Sequence, residues 1–142
     1  MTIAAILAGR DQTIESVTPA TTVMAAARLL ADKRIGALPV MEGDQVVGIF
    51  SERDVIHALK EHGAAALDTM VGAAMTAPAI TVKPADSVLG ALSLMTRRRI
   101  RHLPVVEGTA LVGFVSIGDL VKYRIDRIEA DAAAMRDYIQ SV

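Results

Sequence analysis

The chain repeats itself. Displaced by 65 positions, Val17–Ile56 aligns with Val82–Val121 without a gap. Val17, Pro19 and Val23 recur as Val82, Pro84 and Val88, and Arg34-Ile35 as Arg99-Ile100. Leu38-Pro39-Val40 returns as Leu103-Pro104-Val105, Val47-Gly48 as Val112-Gly113, and Ser51 with Asp54 as Ser116 with Asp119. The repeated positions are turn formers, prolines and core-type aliphatic residues, so what recurs is a folding unit. One such unit is too small to bury enough apolar surface alone. Two copies packed face to face about a pseudo-twofold axis solve that problem.

Period and punctuation set the elements of each copy. Ile14–Val17 reads as a short strand ended by Thr18-Pro19. Thr21 or Thr22 caps a helix carrying Val23, Ala26, Ala27 and Leu30 on one face. Leu38–Met41 is a strand, Glu42-Gly43-Asp44 a turn, and Val46–Phe50 a second strand. Ser51 opens a helix that runs to about His62, with Gly63 as its terminator. The fold class is therefore α+β, two tandem β-α-β-β-α repeats followed by a C-terminal helix. Ile3–Leu7 and Val71–Met75 share a pattern, so each unit is expected to begin with a short helix. The expected division is 1–62 for the first repeat, 63–70 for a connector, 71–123 for the second repeat and 124–142 for the helical extension. Along that extension Val121, Ile125, Ile128, Ala132, Met135 and Ile139 alternate spacings of four and three. This is a stripe for packing on its own domain or on another helix.

Composition narrows the classes of function. Hydrophobic residues make up 52% of the chain but aromatics only 3%, so the core is aliphatic and base-stacking platforms are scarce. A net charge of -1 gives no global attraction to nucleic acid or acidic membranes. With no cysteine, disulfides, thiolate metal sites and a cysteine nucleophile all drop out. MTIAAILAGRDQ lacks a basic segment before its apolar run and reads as a helix, not a signal peptide. No apolar run approaches the ~20 residues needed to span a bilayer. A cytoplasmic location is expected.

Chemistry concentrates at the two strand-to-helix junctions, Gly48-Ile-Phe-Ser51-Glu-Arg-Asp54 and Gly113-Phe-Val-Ser116-Ile-Gly-Asp119. As a lone motif, Ser-x-x-Asp is first of all a capping box. Both copies nevertheless use the shorter acid, both leave room with a glycine three residues earlier, and both expose a helix N-terminus suited to an anion. A carboxylate can accept two hydrogen bonds from a ribose diol while serine and amides receive phosphate. That combination is nucleotide chemistry.

Together with the Leu-Pro-Val strands, these junctions resemble a cystathionine-β-synthase (CBS) domain pair, or Bateman module, of the small stand-alone bacterial type. The resemblance covers about Ile3 to Val121. It implies two clefts between the units, with the junction Asp on ribose and the Ser on phosphate. One cleft would use Ser116 and Asp119, the other Ser51 and Asp54. Residues before each Leu-Pro step would face phosphate or base: Ile100, Arg101 and His102 in the second copy, and Ile35, Gly36 and Ala37 in the first. Adenine would lie against Thr13 and Glu15 in one cleft, and against Ala77 and Ile80 in the other. Because Arg101 and His102 are charged or titratable where Gly36 and Ala37 are not, the Ser116/Asp119 cleft is expected to be the tighter one for phosphate. The implied ligands are AMP, ADP, ATP, NAD(H) or S-adenosylmethionine. No cofactor is obligatory, a homodimer is expected, and output would pass in trans to an effector protein.

Other readings weigh less. Arg97-Arg98-Arg99-Ile100-Arg101-His102 offers a nucleic-acid patch, but Arg97–Arg99 suit the negative end of a helix. His57 and His62 are poorly spaced to share a metal, and no nucleophile elbow, Walker loop or dinucleotide motif is present. An enzyme is therefore not expected. A ligand-free interaction scaffold is the principal alternative.

Overall fold

Residues 1–10 and 13–141 are described by the computed structural model. Two β-hairpins form its frame. β1 (Ala37–Glu42) pairs antiparallel with β2 (Gln45–Ser51), and β3 (His102–Glu107) pairs antiparallel with β4 (Ala110–Ser116). The registers match: Leu38 faces Phe50 as Leu103 faces Val115, and Val40 faces Gly48 as Val105 faces Gly113. The hairpin turns need the left-handed backbone that glycine adopts without steric cost, at Gly43 (φ 62°) and Gly108 (φ 64°). The leading strand expected at Ile14–Val17 contracts to a single parallel bridge from Val17 to Val40, as does Val82 to Val105. A proline two residues later in each copy has no amide with which to extend the ladder.

Each hairpin is covered by an amphipathic helix. α2 (Val23–Lys33) is capped by the Thr22 hydroxyl, which accepts from the Ala25 amide at 3.1 Å; α5 (Val88–Arg98) is capped by Ser87, which accepts from Gly90 at 2.9 Å. Both helices end in a left-handed arginine, Arg34 and Arg99. Val23, Ala26 and Leu30 pack on Leu38, Val40 and Phe50 in the first core, and Val88, Ala91 and Met95 on Leu103, Val105 and Val115 in the second. Each larger side chain so buried stabilises the fold by roughly 1.5–3 kcal/mol.

The lead-in helices are exchanged between the units. α1 (Ile3–Ala8) precedes the first unit in sequence, yet Ile3, Ile6 and Leu7 enter the second core, and the Ile3 amide donates to the Asp86 carbonyl at 2.9 Å. α4 (Val71–Ala74) binds the first unit, with the Val71 amide on the Thr21 carbonyl at 2.7 Å. Glycines make the exchange possible. A Cβ on Gly113 would sit 2.7 Å from Leu7, and one on Gly48 would sit 2.7 Å from Met75 Sδ. The space beside each strand is therefore taken by the crossing helix.

α3 (Glu52–His62) and α6 (Ile117–Gln140) leave the hairpins at the two junctions. Beyond Leu120, which is buried, the stripe on α6 leaves its own domain: Val121, Ile125, Ile128, Met135 and Ile139 are all exposed. No helix among the described residues is long and apolar enough to cross a membrane.

Candidate nucleotide clefts

Both junctions close as complete capping boxes. Ser51 Oγ accepts from the Asp54 amide at 3.3 Å, while Asp54 Oδ2 accepts from the Ser51 amide at 2.9 Å. Ser116 and Asp119 repeat this at 3.1 and 2.8 Å. The next amide is also used: Glu52 donates to the Gly36 carbonyl at 3.0 Å and Ile117 to the Arg101 carbonyl at 2.8 Å. The expectation that these helix N-termini present free amides to an anion is thus corrected. The junction is too tight, and its first amides are already bonded. Cationic side chains supply further groups for an anion.

Those side chains gather in one place. A cleft of about 760 Å³ opens between the units, with Ser51 and Asp54 on one wall and Thr76, Pro78, Ala79 and Ile80 beside them. Arg53, Arg98, Arg99, Arg101 and His102 line it from the rim, against two acids, Glu52 and Asp54. Arg53 crosses from the first unit to donate to the Arg99 carbonyl at 3.4 Å. The His102 ring stacks on Phe114 with centroids 5.8 Å apart, and its edge fills the space above Gly36. Burial, then the Arg101 charge, hold His102 below its ordinary pKa, opposed by Asp119 and Glu52. Asp54 keeps its second oxygen toward this cleft, where Oδ1 accepts from the Thr76 hydroxyl at 3.0 Å.

The second cleft is smaller, about 330 Å³, and is lined by Leu7, Arg10, Thr13, Ile14, Glu15, Ile35, Gly113 and Phe114. Arg10 pairs with Asp119 at 3.0 Å and donates to the Phe114 carbonyl. Partial burial, the largest single influence on Asp119, pushes its pKa up. The Ser116 amide, the Arg10 hydrogen bond and charge, and the Ser116 hydroxyl outweigh it, so Asp119 lies below the usual carboxylate value.

Twinned clefts between tandem units with paired Ser-x-x-Asp junctions match one family, the CBS domain, at residues 11–61 and 71–126. The chain belongs to the CBS domain family. It is similar to the mitochondrial CBS domain-containing protein CBSX3 of Arabidopsis thaliana, 37% identical over 124 residues, which cover 84% of this chain and 60% of that protein. A CBS-domain signal-transduction protein from Burkholderia ambifaria is 41% identical, with a TM-score of 0.83 over 89% of this chain and 95% of the other. The crystal structure of CBSX2 in complex with AMP shares 25% identity and a TM-score of 0.74, over 88% of this chain and 96% of that one. A relative with this architecture thus holds an adenosine-containing ligand.

Within this CBS pair the sequence-predicted residues divide unevenly. Gly36, Ser51, Asp54, Ile80, Ile100, Arg101, His102 and Ser116 line the first cleft, and Thr13, Glu15 and Ile35 line the second. Ala37 is buried in the sheet, Ala77 is exposed beside the first cleft's lead-in, and Asp119 lies behind Arg10. The grouping behind the expected ranking changes: Arg101 and His102 line one cleft with Ser51 and Asp54 as well as with Ser116 of their own unit. Sequence reasoning missed Arg10, Thr76 and Arg53, and it assigned Arg98 and Arg99 to the helix end alone. Their proximity arises from the crossing lead-ins, which no local pattern signals. Among the described residues no cluster suited to a metal ion occurs.

Proposed function

We propose that this protein is a regulatory module that binds a phosphate-bearing adenosine ligand in the first cleft and performs no catalysis itself. One observation carries the reading: an interdomain cleft of about 760 Å³ is lined by the Asp54 carboxylate and four guanidinium groups, those of Arg53, Arg98, Arg99 and Arg101. That volume falls in the range of about 300–1,000 Å³ used by small-molecule sites. In the proposed pose adenine lies along the apolar wall of Ile49, Pro78, Ala79 and Ile80. The ribose hydroxyls replace Thr76 at Asp54 Oδ1, and the phosphate meets Arg99, Arg101 and His102. Charge-assisted bonds of this kind are roughly twice as strong as neutral ones. AMP, ADP, ATP and NADH therefore bind ahead of S-adenosylmethionine, whose sulfonium meets a positive rim. The AMP held by CBSX2 is consistent with this choice.

Both units line the cleft, so a bound ligand favours the arrangement in which they close on it. That shift would be read by an effector protein in trans. Two chains would associate through α6, whose exposed stripe has the spacing of a helix–helix seam. The test is a thermal-shift and calorimetric comparison of AMP, ADP, ATP, NADH, adenosine and S-adenosylmethionine. A site-specific ligand at a hundred times its Kd adds about 2.7 kcal/mol of stability, a Tm rise on the order of 9 °C for a chain of this size. Absence of any shift, together with failure of any nucleotide to co-purify, returns the chain to the ligand-free scaffold.

A further inference from the structure

The two clefts differ in how the lead-in reaches the junction. In the first, Thr76 does two things. Its backbone pairs with Ile49, amide to carbonyl and carbonyl to amide at 2.9 Å each, and its hydroxyl donates to Asp54 at 3.0 Å. In the second, one arginine side chain reaches both corresponding groups, the Phe114 carbonyl and, at 3.0 Å, the Asp119 carboxylate. A hydroxyl yields readily to a ribose hydroxyl of the same kind. A guanidinium carries a full charge and brings its own bulk into the space.

From this geometry, and resting on the nucleotide reading above, we infer that Arg10 is a built-in occupant of the second cleft. The chain then takes one nucleotide in the first cleft, and a second only when Arg10 swings away from Asp119. Three further observations agree. The remaining cavity, about 330 Å³, does not count Asp119 among its lining residues, and that carboxylate is paired with the arginine. The charged residues among the described lining are Arg10 and Glu15, and Glu15 is also 3.5 Å from Lys33. A phosphate entering there meets one cation, already bonded, and one anion. The first cleft, by contrast, presents four guanidinium groups against two carboxylates. Finally, Leu7 fills the hollow over Gly113, holding the α1 end that carries Arg10 against β4.

Calorimetry with AMP tests this on the full chain. The wild type is expected to bind one AMP per chain tightly, and Asp54→Ala removes that binding. Arg10→Ala and Arg10→Gln are expected to reveal a second site, which a further Asp119→Ala removes. Breaking a half-exposed ion pair accounts for roughly fivefold in that affinity, and clearing the side chain adds to it. As a ligand-free readout, the Asp119 carboxyl followed by NMR titrates at higher pH in Arg10→Ala. Three results overturn the inference while sparing the nucleotide reading: two sites of similar affinity in the wild type, weaker binding in both Arg10 variants, or a single site that persists in them. No AMP binding in any protein, the wild type included, defeats both. Circular dichroism melts check that the variants fold, the expected outcome for a side chain with 34% exposure.

Discussion

The junction aspartates have two possible employments, and paired substitutions separate them. Asp54 accepts three hydrogen bonds: from the Ser51 amide at 2.9 Å, the Ser51 hydroxyl at 3.1 Å and the Thr76 hydroxyl at 3.0 Å. Asp54→Ala removes half of a capping box, about 1 kcal/mol, and strands the Thr76 bond, about another 1 kcal/mol. For a chain of 142 residues the unfolding entropy is about 0.3 kcal/mol/K, so the Tm should fall by about 6–7 °C. Asp119→Ala loses the equivalent cap together with a partly exposed pair to Arg10 worth about 0.2–1 kcal/mol, a fall of about 4–7 °C. As caps, the two residues are nearly equivalent. As ligand groups they are not: two charge-assisted bonds from a ribose diol at about 1.5 kcal/mol each make Asp54→Ala cost about a hundredfold in AMP affinity, while Asp119→Ala costs little. Differential scanning fluorimetry gives the first quantity and calorimetry at 25 °C the second. Similar Tm losses with AMP affinity intact in both variants would show that the carboxylates are only caps, and the binding argument would be lost.

Three further outcomes are expected. His102 is held below its unfolded pKa of about 6.5, so the unfolded chain takes up its proton first. Its contribution to stability is therefore full above that pH and declines as pH falls through the window beneath it; His102→Gln should flatten the Tm profile there, and an unchanged profile would refute the assignment. Gly48→Ala should destabilise by about 1–3 kcal/mol and more than Gly113→Ala, because its Cβ meets the Thr76 backbone carbonyl at 2.9 Å, whereas that of Gly113 meets only movable Leu7 methyls. Denaturant unfolding measures both. Ile128→Glu on the exposed face of α6 should shift sedimentation toward the monomer without lowering Tm at the same protein concentration by more than the lost association explains; an unchanged sedimentation coefficient would place any self-association elsewhere.

What could be read from the sequence, and what could not, follows from the range of the interactions involved. The hairpins, their glycine turns, the helices α2 and α5 and the Ser-x-x-Asp boxes are local, and each appears twice in register, so a single comparison exposed them. The exchange of α1 and α4 is different. Ile3–Leu7 and Val71–Met75 carry a similar apolar spacing, and nothing local in either segment signals which core it enters. The placing of Arg101 is non-local for the same reason: grouped with Ser116 and Asp119 because they share a repeat, it lines a cleft that also holds Ser51 and Asp54.

The difference that separates the clefts was nevertheless present as an arithmetic detail. The units repeat at 65 positions, but their lead-in helices repeat at 68, so the first lead-in is three residues longer. In the shorter one Thr76, next after the C-cap Met75, satisfies Asp54 with a hydroxyl. In the longer one the corresponding duty passes to Arg10, which satisfies Asp119 with a charge. The two clefts thus differ although both junctions keep a Ser-x-x-Asp motif. On the inference drawn from Arg10, the length of a connecting segment, which a motif search ignores, decides which carboxylate a ligand can reach.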